Sequence, residues 1–385
     1  MKLRIATRKS QLALWQTRHV AARLKEAHPD LEVEEIHVVT KGDRVQDRPL
    51  YEVGGKALFV SEVEGYVVRG EAELAVHSLK DVPGDVDLAE GCDLLCLPER
   101  EDPRDVLLTR SGEGLMELTA GARVGTTSLR RTSQLRVHRP DLAFATLRGN
   151  VDTRLRKLDE GEYDAIVLAA AGLKRLGLLE GRAHQVLSTE QCLPAVGQGT
   201  LALEGRAEGG LRELLATLEH APTRIVTTAE RAFLRRLQGS CRSTIAGHAR
   251  LRDDGARLSF QGLVGGPDGG RTLNASSDVF LKGRTQDERV AEAHALGESI
   301  ADGLIERGAR DLMAEAEAAV LRNPGLNYTP GVRPLRNARA FDRASRGGPP
   351  SRLRCIPQTV TTTARSTKSN PIARRGGEGV HAPVW

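Results

Sequence analysis

The sequence predicts an α/β protein with two doubly wound units and a smaller α+β third unit, and three observations predict it. Short apolar strands alternate with helical segments as far as residue 204, the pattern of mostly parallel sheets covered by helices. A chain of 385 residues, 39% hydrophobic and 28% charged, is long enough for two or three packed domains. From residue 257 the alternation gives way to two strands in succession and one long helix.

The first unit opens with LRIAT (3–7) as a strand. Ser10 then stands where its hydroxyl can cap the helix QLALWQTRHVAARLKEA (11–27). VEEIHVV (33–39) reads as the next strand, 56–70 as helical, and ELAVHSL (73–79) as a buried strand. PEREDPRD (98–105), rich in Pro and acid, reads as the crossing into a second unit.

In the second unit ARVGTT (122–127), FATLRG (144–149) and DAIVLAAAGL (164–173) read as strands with helices between them. QCLPAVGQGTLALE (191–204) reads as a return strand, and a long helix begins near Thr223. RLSFQGLVGG (257–266) and RTLNASSDVF (271–280) form a hairpin around PDGG, followed by a helix over 286–307.

Charge is unevenly spread. Residues 328–385 hold eleven Lys/Arg against two Asp/Glu, so the chain's +5 becomes −4 once that +9 segment is set aside. Its Pro, Gly, Ser, Thr and Arg content lacks any apolar period, and a disordered basic tail is expected. The body is mildly acidic, yet nine Lys/Arg face only two acidic residues between Arg123 and Lys157. A shaped anion site is the expectation, not a general nucleic-acid surface. Only 3% of the chain is aromatic, too little for the stacking platforms of single-strand binders, and no duplex-reading element is present.

The amino terminus alternates charge with apolar residues, and no apolar run approaches a membrane span, so a cytoplasmic protein is expected. Five scattered cysteines suit reduced thiols. Cys92 and Cys96 have no second pair at zinc spacing, and no metal site is expected.

Open α/β sheets bind ligands beyond the carboxyl ends of their strands, which is where the candidate contacts fall. Arg8 and Ser10 follow the first strand, and Ser78, Lys80 and Asp81 follow ELAVH. Thr126 to Arg131 follow ARVG, Arg148 follows FATL, and Lys174 and Arg175 follow the fourth. Thr126, Thr127 and Ser128 supply hydroxyls at a helix start, either as simple caps or as part of an anion site. Arg130 and Arg131 stand within one turn of it, where the helix dipole disfavours cations, so a negative partner is expected. The choice of Arg over Lys fits two-pronged recognition of planar carboxylates.

Asp81, in HSLKDVP, is an acid among these cations: a salt-bridge partner, or a carboxylate that stabilises a cationic intermediate or moves a proton. Cys241 lies in the glycine-bounded loop RRLQGSCRSTIAG (235–247), where Arg235, Arg236 and Arg242 would favour its thiolate.

Ten segments now share one pattern: RIATRKSQLALWQ, KGD, VGGKALF, AVHSLKDVP, EREDPRD, VGTTSLRR, LRGNVDTRL, AAAGLKRLG, LPAVGQG and AERAFLRRL. In this order, over roughly residues 3–315, they resemble the porphobilinogen deaminase (hydroxymethylbilane synthase) family. The resemblance implies an enzyme that joins four porphobilinogen molecules head to tail with loss of ammonia, growing the chain on a dipyrromethane cofactor thioether-linked to a cysteine.

By position, the cysteine is Cys241 and the catalytic aspartate is Asp81. Lys80, Ser78, Thr126, Ser128, Arg130 and Arg131 fall at cofactor-binding positions, and Arg8, Ser10, Lys56, Arg148, Arg154, Arg175 and Gln198 at substrate-binding ones. The implied fold is two hinged domains of the type II solute-binding kind, at 1–98 with 196–218 and at 103–192, plus a third at 220–320 bearing the cysteine loop. A monomer with porphobilinogen as its partner, and neither nucleic acid nor membrane, is expected.

One departure stands out. The family loop reads Gly-Gly-Cys, a variable pair, Pro and a small apolar residue, whereas this chain has Gly239, Ser240, Cys241, Arg242, Ser243, Thr244 and Ile245. In a left-handed backbone Ser240 would cost about 1–2 kcal/mol, and loss of the Pro removes a conformational lock. The rival from another class, a non-catalytic solute binder with the same crevice, would need neither Asp81 nor Cys241.

Overall fold

The computed structural model describes residues 2–39, 60–84, 87–206, 208, 210–239, 243–267 and 269–322. The expected tail, residues 328–385, lies outside the described residues.

The first sheet is built from β1 (Lys2–Arg8), β2 (Glu32–Val38), β3 (Leu74–Ser78), β4 (Cys92–Cys96) and β10 (Leu201–Arg206), in the order β2-β1-β3-β10-β4. β1 pairs parallel with β2 and β3, and β10 runs antiparallel between β3 and β4. The second sheet repeats the plan with β5 (Asp105–Thr109), β6 (Arg123–Gly125), β7 (Ala143–Ala145), β8 (Ala165–Ala169) and β9 (His184–Val186), in the order β7-β6-β8-β5-β9. Here β5 is the antiparallel strand. Each sheet thus carries its antiparallel strand just after a crossing between them, and two doubly wound sheets result.

Helix α1 (Gln11–Ala27) starts at Ser10, whose hydroxyl accepts the Ala13 N–H at 3.3 Å as its sequence position suggested. Its buried Val20 and Leu24 meet Leu3, Ile5 and Leu74 of the first sheet. Helix α2 (Ser61–Val68) packs Val63 and Val67 over Ala6 and Ala75. The second sheet is flanked by α3 (Leu129–His138), α4 (Val151–Asp159) and the short α5 (Ala170–Arg175).

Several expected strands are shorter than their sequences suggested. DAIVLAAAGL turns helical at Ala170, because three alanines in a row have no β-branched bulk to hold an extended chain. The return strand occupies Leu201–Arg206 only, and 191–200 are turns that link the sheets. Gly199 explains this locally, with φ +91° and a Cβ that would meet the Glu101 carbonyl oxygen at 2.3 Å. The outbound and return connections touch there.

The third sheet, β11 (Ile245–Arg252), β12 (Arg257–Gly265) and β13 (Thr272–Phe280), is wholly antiparallel and contains the expected hairpin. Between β10 and it run α6 (Leu211–Leu215) and α7 (Ala221–Leu237); α8 (Gln286–Glu306) and α9 (Ala309–Arg322) follow. Phe233 of α7 meets Phe260 of β12 edge to face at 5.2 Å in the centre of its core.

Glu230, on α7 and fully buried, ties this unit to both connections. It accepts from Arg100 at 2.7 and 3.1 Å, from the Gly197 N–H at 2.7 Å and from the Ala249 N–H at 2.9 Å. Burial alone would raise its carboxyl, but Arg100 and His248 hold it down to about 2. Because removing one partner of a buried pair strands the other charge, Glu230→Ala should lower stability by about 3–5 kcal/mol, read by urea unfolding. A loss under about 1 kcal/mol would place that pair among weak surface contacts.

Candidate active site

One turn of 3₁₀ helix, Leu79–Asp81, carries Lys80 and Asp81 off the end of β3. Behind it the Ser78 hydroxyl accepts from Gln16 of α1 at 2.9 Å, which joins the first helix to the end of the central strand. Asp81 is exposed and forms no ion pair with any described residue. Lys80 is half-buried, and its Nζ donates to Gln198 Oε1 at 3.3 Å. Burial pushes the Lys80 ammonium down to about 8, with Asp81 and Asp105 opposing the shift and Arg131 and Arg130 adding to it.

Gln198 sits on the return connection, almost wholly buried, and its amide donates to the Pro103 carbonyl at 2.6 Å and to Asp105 Oδ1 at 3.0 Å. Asp105 opens β5 and is fully buried. Its Oδ1 takes Arg131 Nε at 3.1 Å and Nη2 at 2.7 Å, and its Oδ2 lies 2.8 Å from Arg130 Nη2. Burial would raise this carboxyl, but the two guanidiniums hold it far below the usual carboxylate range.

The same guanidiniums serve backbone carbonyls, Arg131 that of Val167 at 2.9 Å and Arg130 that of Leu193 at 2.7 Å. At α3's first turn Ser128 is the N-cap and accepts from the Arg131 N–H, while Thr126 Oγ1 accepts from the Ser128 N–H at 3.1 Å. These hydroxyls therefore hold the turn that presents the arginines.

Arg154 of α4 donates from Nε to the Gly149 carbonyl at 2.8 Å, and its Nη groups bond no described residue. Burial, with Arg131 and Arg148 adding to it, pushes this guanidinium down to about 10 against the pull of Asp81. Arg175, at the end of α5, donates to the Gly199 carbonyl at 2.7 Å and is likewise lowered to about 10, chiefly by burial. Among the described residues no group of three or more His, Cys, Asp and Glu side chains could hold a metal ion, and no helix is long and apolar enough to cross a membrane.

With this geometry in hand, the comparisons with known proteins are specific. Residues 3–211 match the family model described as "Porphobilinogen deaminase, dipyromethane cofactor binding domain", and residues 225–306 match "Porphobilinogen deaminase, C-terminal domain". The chain belongs to the porphobilinogen deaminase family. A porphobilinogen deaminase of Sorangium cellulosum (strain So ce56) is 52% identical over 287 residues, which is 74% of this chain and 94% of that protein. One of Nitratidesulfovibrio vulgaris (strain DSM 19637 / Miyazaki F) is 49% identical over 315 residues, 82% of this chain and 96% of that protein. Among solved structures, the periplasmic VFT2 domain of Bordetella pertussis BvgS aligns with TM-score 0.34 and 16% identity over 56% of this chain and 86% of that one.

Set against the porphobilinogen deaminase motifs, the structure gathers Lys80, Gln198, Arg130, Arg131 and Arg154 around Asp105 and Asp81, while Arg148 joins through its field on Arg154. Arg8 and Ser10 lie at the start of α1, half-buried. Lys56 and Cys241, with Ser240 and Arg242, lie outside the described residues.

The structure refines several expectations. The anion that answers Arg130 and Arg131 within the chain is Asp105, which sequence reading left inside a linker. Lys174 is not in this cluster, since it pairs with Glu101 at 2.8 Å. Arg235 and Arg236 pair with Asp87 and Asp302, each at 2.6 Å, while Cys241, whose thiolate they were expected to favour, lies outside the described residues. Thr244, where the family has Pro, is buried and its hydroxyl donates to the Gly265 carbonyl, so a side-chain bond to β12 secures the loop's exit.

Cys192, beside Asp105, is pushed up to about 12 by burial and by that carboxylate. That shift disfavours the thiolate a nucleophile needs. The signal that could have exposed Asp105 was its place at the end of an acidic run, directly before the apolar VLLT.

Proposed function

We propose that this chain condenses four porphobilinogen molecules head to tail, releasing ammonia, to give hydroxymethylbilane. The observation that carries this reading is the set of half-buried cationic donors beside an exposed Asp81. Lys80 has one side-chain partner among the described residues, and the Nη groups of Arg154 have none. Both are lowered by burial, so each gains from a carboxylate that restores its favoured charged form.

These residues fit the dipyrromethane group. Lys80, Ser78, Thr126, Ser128, Arg130 and Arg131 would hold it, with Cys241 as its covalent anchor. When bound, dipyrromethane supplies the terminal pyrrole carbon on which the product grows. Each pyrrole brings two carboxylates, so a primer and four units present twelve, and several charge-assisted bonds of roughly 1.5–3 kcal/mol each would hold such a chain.

Arg8, Ser10, Lys56, Arg148, Arg154, Arg175 and Gln198 bind the acetate and propionate groups of substrate. Asp81, close enough to Arg154 to act on its charge, is the group that stabilises the cation left as ammonia departs and manages the pyrrole protons. We divide the chain into domains at 1–98 with 196–218, 103–192 and 220–320, in line with the three sheets. We place it in the cytoplasm as a monomer without a nucleic-acid partner, which sedimentation and fractionation would check. Incubating the purified protein with porphobilinogen should yield one bilane and four ammonia per four substrates; no tetrapyrrole product would overturn the assignment.

Lys80 gives this reading a pH signature. Its amine is lowered to about 8, so it is charged below that pH and neutral above it. Anion binding that needs the ammonium must weaken as pH rises through 8, and the half-saturating porphobilinogen concentration for primer assembly on the cofactor-free protein should climb there. Lys80→Arg, which stays charged, should flatten the climb. An identical rise in the variant would assign it to another group.

A further inference from the structure

We propose that Asp105 is a positioning residue of this site, one buried carboxylate that aligns Arg130, Arg131 and, through Gln198, Lys80 for carboxylate binding. The inference rests on the reading of those cations as ligand-binding groups, and it assigns a role to a residue outside that set.

Asp105 joins elements that otherwise have little reason to agree. Arg130 and Arg131 come from the first turn of α3, Gln198 from the connection that returns to the first sheet, and Lys80 from the turn after β3. Two adjacent guanidiniums, 4% and 7% exposed, repel each other and lie where a helix dipole also opposes them. One carboxylate facing both removes the conflict, with Arg131 contacting Oδ1 through Nε and Nη2 and Arg130 contacting Oδ2. The Nε–Nη2 fork of Arg131 is thereby occupied. Arg131 Nη1 in turn serves the Val167 carbonyl at 2.9 Å, so Asp105 and that carbonyl together set which guanidinium N–H groups are left to a ligand.

Gln198 extends the alignment across the two sheets. Its Nε2 donates to Asp105, which fixes its Oε1 toward Lys80 Nζ. The charged groups that act on Lys80 are Asp81 beside it, Asp105 and Arg131 and Arg130 beyond Gln198. Those that face Asp105 are Arg130, Arg131 and the Cys192 thiol, which lies 3.4 Å from Oδ2. Asp105 is the buried anion that offsets two buried cations at Lys80. Its removal should drop the Lys80 pKa further as well as free the arginines.

Asp105→Asn and Asp105→Glu, compared with the unaltered protein, test this. With lysine-selective ¹³C labelling and Lys80→Arg to assign the signal, Lys80 should titrate about half a unit to one unit lower in Asp105→Asn. In Asp105→Glu it should return toward its normal midpoint, because the charge is restored. With porphobilinogen, Asp105→Asn should raise KM at least tenfold with a smaller change in kcat, and Asp105→Glu should keep a raised KM because its longer arm misplaces the pair.

A merely structural role would lower the yield of folded protein while leaving the KM of the folded fraction unchanged. The proposal is overturned by a midpoint and KM unchanged in Asp105→Asn. If that variant does not fold, a wild-type KM in Asp105→Glu overturns it equally. Failure of the unaltered protein to consume porphobilinogen would instead sink the functional reading, while the titration still judges Asp105.

Discussion

Asp81→Asn should lower kcat by about 10²–10⁴-fold, the range lost when a positioned acid or base is removed. The substitution keeps the shape of an exposed side chain that forms no ion pair with any described residue, so folding should be nearly unaffected. What changes is the one carboxylate on the turn beside Lys80, in the field of Arg154. An amide can neither hold a full negative charge against a cationic intermediate nor accept a proton. KM should change less than kcat, because the cations that bind carboxylates remain. Single-turnover assays would resolve this, and near-normal bilane production would refute the role given to Asp81.

Cys241→Ser should remove the covalent primer entirely. Purified under denaturing conditions from cells able to make porphobilinogen, the unaltered chain should carry the added mass of two pyrrole units and the variant none. A serine hydroxyl stays protonated where a thiol can ionise, so it does not form the corresponding link. The described cysteines are poor substitutes, since burial disfavours their thiolates, pushing Cys92 up to about 11 and Cys192 up to about 12 and raising Cys96 as well. An unmodified wild-type chain, or an adduct retained in the variant, would defeat the assignment.

Much of the fold was legible because it depends on short-range rules. Ser10 caps α1 at the expected residue, and the hairpin of β12 and β13 forms around the expected turn. Strand ends were less legible. ARVGTT, FATLRG and DAIVLAAAGL each run past their strands, since apolar residues continue into turns and helix starts whose boundaries are set by neighbouring elements. β4, β5, β9 and β11 were not foreseen: the first three are 3–5 residues long, and β11 carries Gly247, His248 and Arg250 within its length.

Sequence alone determined the chemistry of this chain: the clustered Arg and Lys, the lone Asp81 among them, and ten collinear motifs that lead to the porphobilinogen deaminase family. Tertiary structure decided which charges meet. Asp105 and Arg130 are 25 positions apart, and Gln198 is 93 from Asp105, so no local pattern could reveal that they share one carboxylate. The physical reason is that a buried charge is tolerated only with partners, and which partners are available depends on how the two crossings bring the ends of separate strands together.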